Sequence, residues 1–150
     1  MRILFDFNEC LKKGLLRKTV PSRGKARKSL EASSKWLEEA EKNFVSNALR
    51  SSLLSAYLAV FHATRSILFF DGYREKSHAC IARYLEEKYV RNGLLESKWV
   101  EMLDHLREIR YTDQYSFNFF SSRDESKDTI KKSKEFVSRM KRLLDQISKK

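Results

Sequence analysis

Apolar residues recur along this chain at steps of three and four, and no segment alternates with a period of two or repeats another. The pattern therefore predicts helices throughout. Asp6 to Lys18 reads as a short helix with Phe7, Leu11 and Leu15 on one face, closed by a loop around Pro21. Ser22 is placed to cap a second helix, whose positions Ala26, Leu30, Leu37, Ala40 and Phe44 fall on one side. Glu31–Lys35 and Glu38–Lys42 support that helix as i,i+4 pairs in the favoured order. From about Asn47 to Phe70 the apolar positions spread over more than one face, including Leu49, Leu53, Tyr57, Val60, Phe61 and Ile67. Such a helix is surrounded by neighbours.

Local punctuation divides the remainder. Asp71-Gly72 ends the central helix, since glycine enters the left-handed conformation without steric cost. Ser77 is positioned to cap a helix running through Ile81, Leu85, Tyr89 and Val90 to Asn92-Gly93. Ser97 starts another, with Trp99, Val100, Leu103, Leu106 and Ile109 inward. Ser122 and Glu125 have the spacing of a capping box, opening a last helix that buries Ile130, Phe136, Val137, Met140, Leu144 and Ile147. The short connections after Gly72 and Gly93 make neighbouring helices antiparallel. Ser116–Ser121 contains Phe117, Phe119 and Phe120, aromatic area that needs cover from the bundle or from a second subunit. The fold class expected is all-α, an up-and-down bundle of four or five helices with a short extra N-terminal helix.

Composition narrows this picture only a little. At 150 residues the chain suits a single domain over residues 1–150, and four glycines and one proline leave room for long helices. A formal charge of +11 fits attraction to nucleic acid, an acidic partner or a membrane surface, and equally a solvated surface tuned for solubility. Cys10 and Cys80 are too few for a disulfide framework, which favours reduced thiols in a cytoplasmic protein. The first residues carry Asp6 and Glu9 and do not read as a secretory signal. Leu53–Phe70, with His62 and Arg65, falls short of the roughly 20 clean apolar residues of a membrane span.

Candidate chemistry is sparse. His78 opens its helix just after Lys76 and Ser77, where free backbone N–H groups and the helix dipole could hold a phosphate. The commoner role for such a histidine is structural, capping the helix or hydrogen-bonding a neighbouring one. Arg110, Asp113 and Tyr115 close the helix that starts at Ser97, with Gln114 four residues beyond Arg110. A guanidinium there suits phosphate, and a purely structural Arg110–Asp113 pair explains the same spacing. His62 sits on the central helix and His105 lies near Glu101; neither has the surroundings of a hydrolytic triad. Lys12, Lys13, Arg17 and Lys18 begin the densest basic run, a candidate contact for a phosphate backbone or an ordinary solvated rim. No glycine-rich phosphate loop, metal-ligand spacing or cofactor motif occurs.

Five blocks taken together, CLKKGLLRK, PSRGKARKSLEAS, AYLAVFHATR, GYREKSHACIARYL and RYTDQY, resemble the archaeal and bacterial branch of the HEPN domain family. The resemblance spans nearly the whole chain. It implies a helical bundle that dimerises, in proteins of toxin–antitoxin or defence systems often encoded beside a minimal nucleotidyltransferase. The catalytic branch of that family resembles a metal-independent ribonuclease, marked by an arginine followed after four to six residues by a histidine at the dimer cleft. Here Arg110 matches the arginine and Tyr115 stands where the histidine belongs. A phenol, ordinarily ionising near 10, does not exchange protons at neutral pH as imidazole does. Losing one acid–base group forfeits about 10²–10⁴-fold in rate. The resemblance thus favours a homodimeric module that binds a nucleotide, RNA or an acidic partner with a degenerate catalytic motif. The alternatives are a ribonuclease using Arg110 with Tyr115 or His78, and a scaffold held by an antitoxin.

Overall fold

The computed structural model describes residues 6–115 and 122–149, apart from the side chain of Asp113. Phe117, Phe119 and Phe120 lie outside the described residues. Helix α1 (Phe7–Lys12) is shorter than its apolar pattern predicts. It starts on an Asp6/Glu9 capping box and stops before Gly14, whose φ of 71° breaks the right-handed turn. The chain then extends into β1 (Leu16–Lys18), which pairs antiparallel with β2 (Tyr73–Glu75). The expectation of an entirely strand-free chain is corrected here, because three residues per strand are too few to print an alternation. The fold remains an all-α bundle to which this small ribbon is attached.

Helix α2 (Arg23–Val45) is capped by Ser22 as expected, and α3 (Leu49–Asp71) returns beside it in the opposite sense. Their contact is made by small residues. Ser29 Oγ donates to the His62 carbonyl at 2.6 Å and Ser33 Oγ to that of Ala59 at 2.7 Å. Serine and alanine let the backbones approach closely, so Ala26, Ser33 and Ala40 are buried while the larger Leu30 and Leu37 are only half-buried. By length and composition α3 would qualify as a membrane span, yet 67% of its apolar window is buried inside the protein. It is the core helix. Tyr57, Val60, Ile67 and Leu68 of α3 join Ile81 and Leu85, then Leu103 and Leu106, and finally Phe136, Met140 and Leu143 in one apolar interior.

Gly72 closes α3 in the left-handed conformation, at φ 87°. Its N–H reaches Leu68 O, and its carbonyl accepts from Thr19 N at 2.8 Å, so the strand ribbon is tied to the end of the core helix. Helix α4 (His78–Leu85) continues as a π turn over Glu86–Val90 where one uninterrupted helix was expected. Tyr84 and Tyr89, on either side of that change, both donate to Asp71 Oδ2, at 2.7 and 2.5 Å. Ser77 occupies the N-cap position of α4 with extended backbone, but its side chain makes no capping hydrogen bond. Helices α5 (Ser97–Tyr115) and α6 (Arg123–Ser148) complete the bundle, α6 opening on the Ser122/Glu125 capping box. Arg123 reaches Phe44 O, and Arg23 reaches Ser148 O, so α6 runs antiparallel to α2.

Cys10 and Cys80 are joined in a disulfide, with Cα atoms 6.0 Å apart and both residues fully buried. The expectation of reduced thiols is corrected, and with it falls the reasoning from thiols to compartment. Their separation of 70 residues hid the pairing. The β1–β2 ribbon brings α1 against the start of α4, and sequence distance then means nothing.

Candidate functional site

A cavity of about 790 Å³ opens between the start of α4 and the last two turns of α5. His78 and Ser77 form one wall, and Arg107, Arg110, Tyr111 and Tyr115 form the other. The three residues singled out for chemistry, His78, Arg110 and Tyr115, thus line one space although α4 and α5 are separated in sequence by the π turn and a loop. Periodicity explains the α5 wall, since Arg107, Tyr111 and Tyr115 follow at four-residue steps and share a face. The α4 wall is held by Cys80, two residues past His78, through the disulfide to α1.

The core helix supplies the floor. The His78 ring lies flat on Phe61, centroids 4.1 Å apart and 6° from parallel, and stacks more distantly on Tyr57 at 5.7 Å. Tyr57 is 1% exposed. Its hydroxyl sits 2.8 Å from His78 Nδ1, and Arg110 Nη2 approaches the same nitrogen at 3.4 Å. Guanidinium only donates, so Nδ1 is the acceptor and the ring proton belongs on Nε2. Arg110 is held further by Gln114 Oε1, which accepts from Nη1 at 2.9 Å, and by the Tyr57 ring under its guanidinium at 5.0 Å.

A buried ion network stands behind this wall. Asp104 accepts from Arg83 Nη2 at 2.6 Å through one carboxylate oxygen and from Arg107 Nη2 at 3.0 Å through the other. The Nε atoms of Arg83, Arg107 and Arg110 are buried and find no hydrogen-bond partner among the described residues. Glu86 adds a looser, more exposed ion pair to Arg83, its Oε1 3.9 Å from Nε.

Burial and these arginines shape the titration of the neighbouring groups. Burial, with Arg110, Arg107, Arg65 and His62 adding to it, pushes His78 down to about 4. His78 is therefore a neutral imidazole at physiological pH and not a base poised near 7. Burial likewise raises the Tyr57 hydroxyl to about 12, against the opposing pull of Arg110 and Arg107. His62 is lowered by burial and by Arg65. The site can grip an anion with two guanidiniums and offer a neutral N–H; it holds no imidazolium to act as acid.

Other sequence candidates lie elsewhere. Lys12, Lys13, Arg17 and Lys18 are exposed on α1, its end and β1, and none lines the cavity. Lys76 is exposed before α4, its backbone N–H bonded to Leu15 O. The Asp113 side chain lies outside the described residues, and His105 is exposed. Sequence reasoning missed Tyr57, Arg83, Asp104, Arg107 and Tyr111. The i,i+3 spacing of Asp104 and Arg107, one turn before Arg110, was a usable signal. Tyr57 gave none, since a tyrosine on an apolar helix reads as core.

Comparison with known proteins now adds a family. The sequence profile of the HEPN domain matches residues 26–143. A protein of Methanocaldococcus jannaschii named a "putative toxin" is 24% identical over 135 residues, covering 90% of this chain and 98% of that protein. A UPF0332 protein of Pyrococcus horikoshii is 30% identical over 59 residues, 39% of this chain and 42% of that protein.

Proposed function

Because the chain belongs to the HEPN domain family, we propose that the cleft between α4 and α5 binds the phosphates of a nucleotide or RNA, in a toxin-like component of a toxin–antitoxin or defence pair. The observation that carries this reading is the convergence of Arg107 and Arg110 with the neutral ring of His78 on one cavity. Guanidinium recognises phosphate through short, charge-assisted pairs of hydrogen bonds. The two arginines are already oriented by Asp104 and Gln114, so little side-chain order remains to be lost on binding. The name of the M. jannaschii relative motivates the toxin-like role.

Strong catalysis is not part of the reading. Tyrosine occupies the position expected for histidine, and His78 stays uncharged with its Nδ1 already engaged. One observation favours a second reading: an imidazole does stand 3.4 Å from Arg110, contributed by α4 in place of α5. Incubating RNA with wild type and with Arg110→Ala, without metal, separates the two. Binding without cleavage by wild type, lost in the variant, supports the binding module. Cleavage by wild type that Arg110→Ala abolishes supports the ribonuclease. Equal behaviour of both proteins rejects the site altogether. A homodimer and a minimal nucleotidyltransferase as partner complete the proposal; sedimentation as a monomer at micromolar concentration contradicts the first, and absence of co-purification with such an enzyme encoded next door contradicts the second.

A further inference from the structure

Tyr111 and Tyr115 are 61% and 59% exposed, their rings 4.8 Å apart and tilted by 48°. Among the described residues the other large exposed apolar side chains, Leu11, Val20 and Val45, lie away from this cavity. Two adjacent phenol rings in water stand out in a chain whose other tyrosines are buried or, at Tyr73, half-buried. Tyr57, Tyr84 and Tyr89 are each 7% exposed or less. The pair is also placed beside charge: Arg107, Tyr111 and Tyr115 form one stripe along α5, and all three face the cavity with Arg110. Guanidiniums and open aromatic faces therefore alternate within about one helical turn, or about 5.4 Å, of each other.

From this juxtaposition we infer that Tyr111 and Tyr115 form a stacking ledge for an unpaired nucleobase, with the phosphate of the same or the next nucleotide on Arg107 and Arg110. The inference rests on the phosphate reading above and deepens it, because it fixes the ligand as one whose base is free to leave a helix. Every base offers a π-face, so such a ledge selects single strands over duplex without selecting sequence. Both residues line the cavity and keep more than half of their surface exposed. Phosphate neutralisation beside it supplies affinity that does not depend on the base. The two contributions can be measured apart.

Three probes suffice: a short single-stranded RNA carrying 2-aminopurine, the same backbone with abasic sites, and the matching duplex. Wild type is expected to bind the first about tenfold or more tightly than the second, with quenching of 2-aminopurine fluorescence. Tyr111→Leu combined with Tyr115→Leu brings the first probe down to the affinity of the second and removes the quenching. Tyr111→Phe with Tyr115→Phe restores both, since phenylalanine stacks and removes only the hydroxyls. Equal binding of base-bearing and abasic strands by wild type overturns the ledge while leaving the phosphate cleft standing. Preference for the duplex also overturns it. Failure of all three probes to bind wild type refutes the phosphate reading itself and the ledge with it.

Discussion

His78 is the residue on which sequence and structure differ most in meaning. At the start of a helix it suggests a charged phosphate contact; in place it is a neutral ring between Phe61, Tyr57 and Arg110. A folded-state value of about 4, below the ordinary 6.5, means that the unfolded chain takes up the proton first as pH falls. Stability from this group is thus complete above about pH 6.5 and drains away as pH drops toward 4. The slope stays below about 1.4 kcal/mol per pH unit, the limit for a single proton, and solvent around the part-exposed ring reduces the total. His62 pulls in the same direction. Melting temperatures of His78→Asn between pH 8 and 4.5 are expected to fall less steeply than those of wild type. Parallel curves would show that the ring is not held neutral. Long-range ¹H–¹⁵N spectra at pH 7 are expected to find the proton on Nε2.

At the scale of elements, boundaries written in local chemistry were legible. Ser22, Gly72 and the Ser122/Glu125 box each act within four residues and appear where the sequence puts them. What depended on distant partners was not legible. The end of α1, the β1–β2 ribbon and the Cys10–Cys80 bond all follow from one long-range closure of the N-terminal segment onto the end of α3. Gly72 is the pivot of that closure. A Cβ there would lie 2.8 Å from both Thr19 O and Pro21 Cγ, at a φ that L side chains avoid. Gly72→Ala is expected to cost about 2–4 kcal/mol, since strain adds to a clash with backbone. Gly93 has a similar φ of 74° but open space around it. Gly93→Ala is therefore expected to cost only about 1 kcal/mol. Equal losses in chemical denaturation would show that packing against the ribbon contributes nothing.

For the whole molecule, the bundle was readable because helical periodicity persists over nearly every segment, while the site was readable only in part. Arg110 and Gln114 are neighbours in sequence, so their contact was foreseen. His78 and Arg110 meet across 32 residues, and the core tyrosine beneath them comes 21 residues before His78. No local pattern encodes that meeting. The broad positive charge divides in the same way. The basic run at Lys12–Lys18 was prominent in sequence yet lies off the cavity, whereas the inconspicuous Arg107 lines it and Arg83 shares the Asp104 carboxylate with Arg107. The proposed phosphate site is therefore the cleft arginines and not the basic surface.

The most direct test is the salt dependence of single-stranded RNA binding by wild type, Arg107→Gln with Arg110→Gln, and Lys12→Gln with Lys13→Gln. Each phosphate contact contributes about 0.7 to the slope of log K against log salt for a single strand. The cleft variant is expected to lose about 1.4 from that slope along with most of the affinity, while the surface variant stays close to wild type. A cleft variant that binds like wild type, with the surface variant losing the slope, would contradict the account.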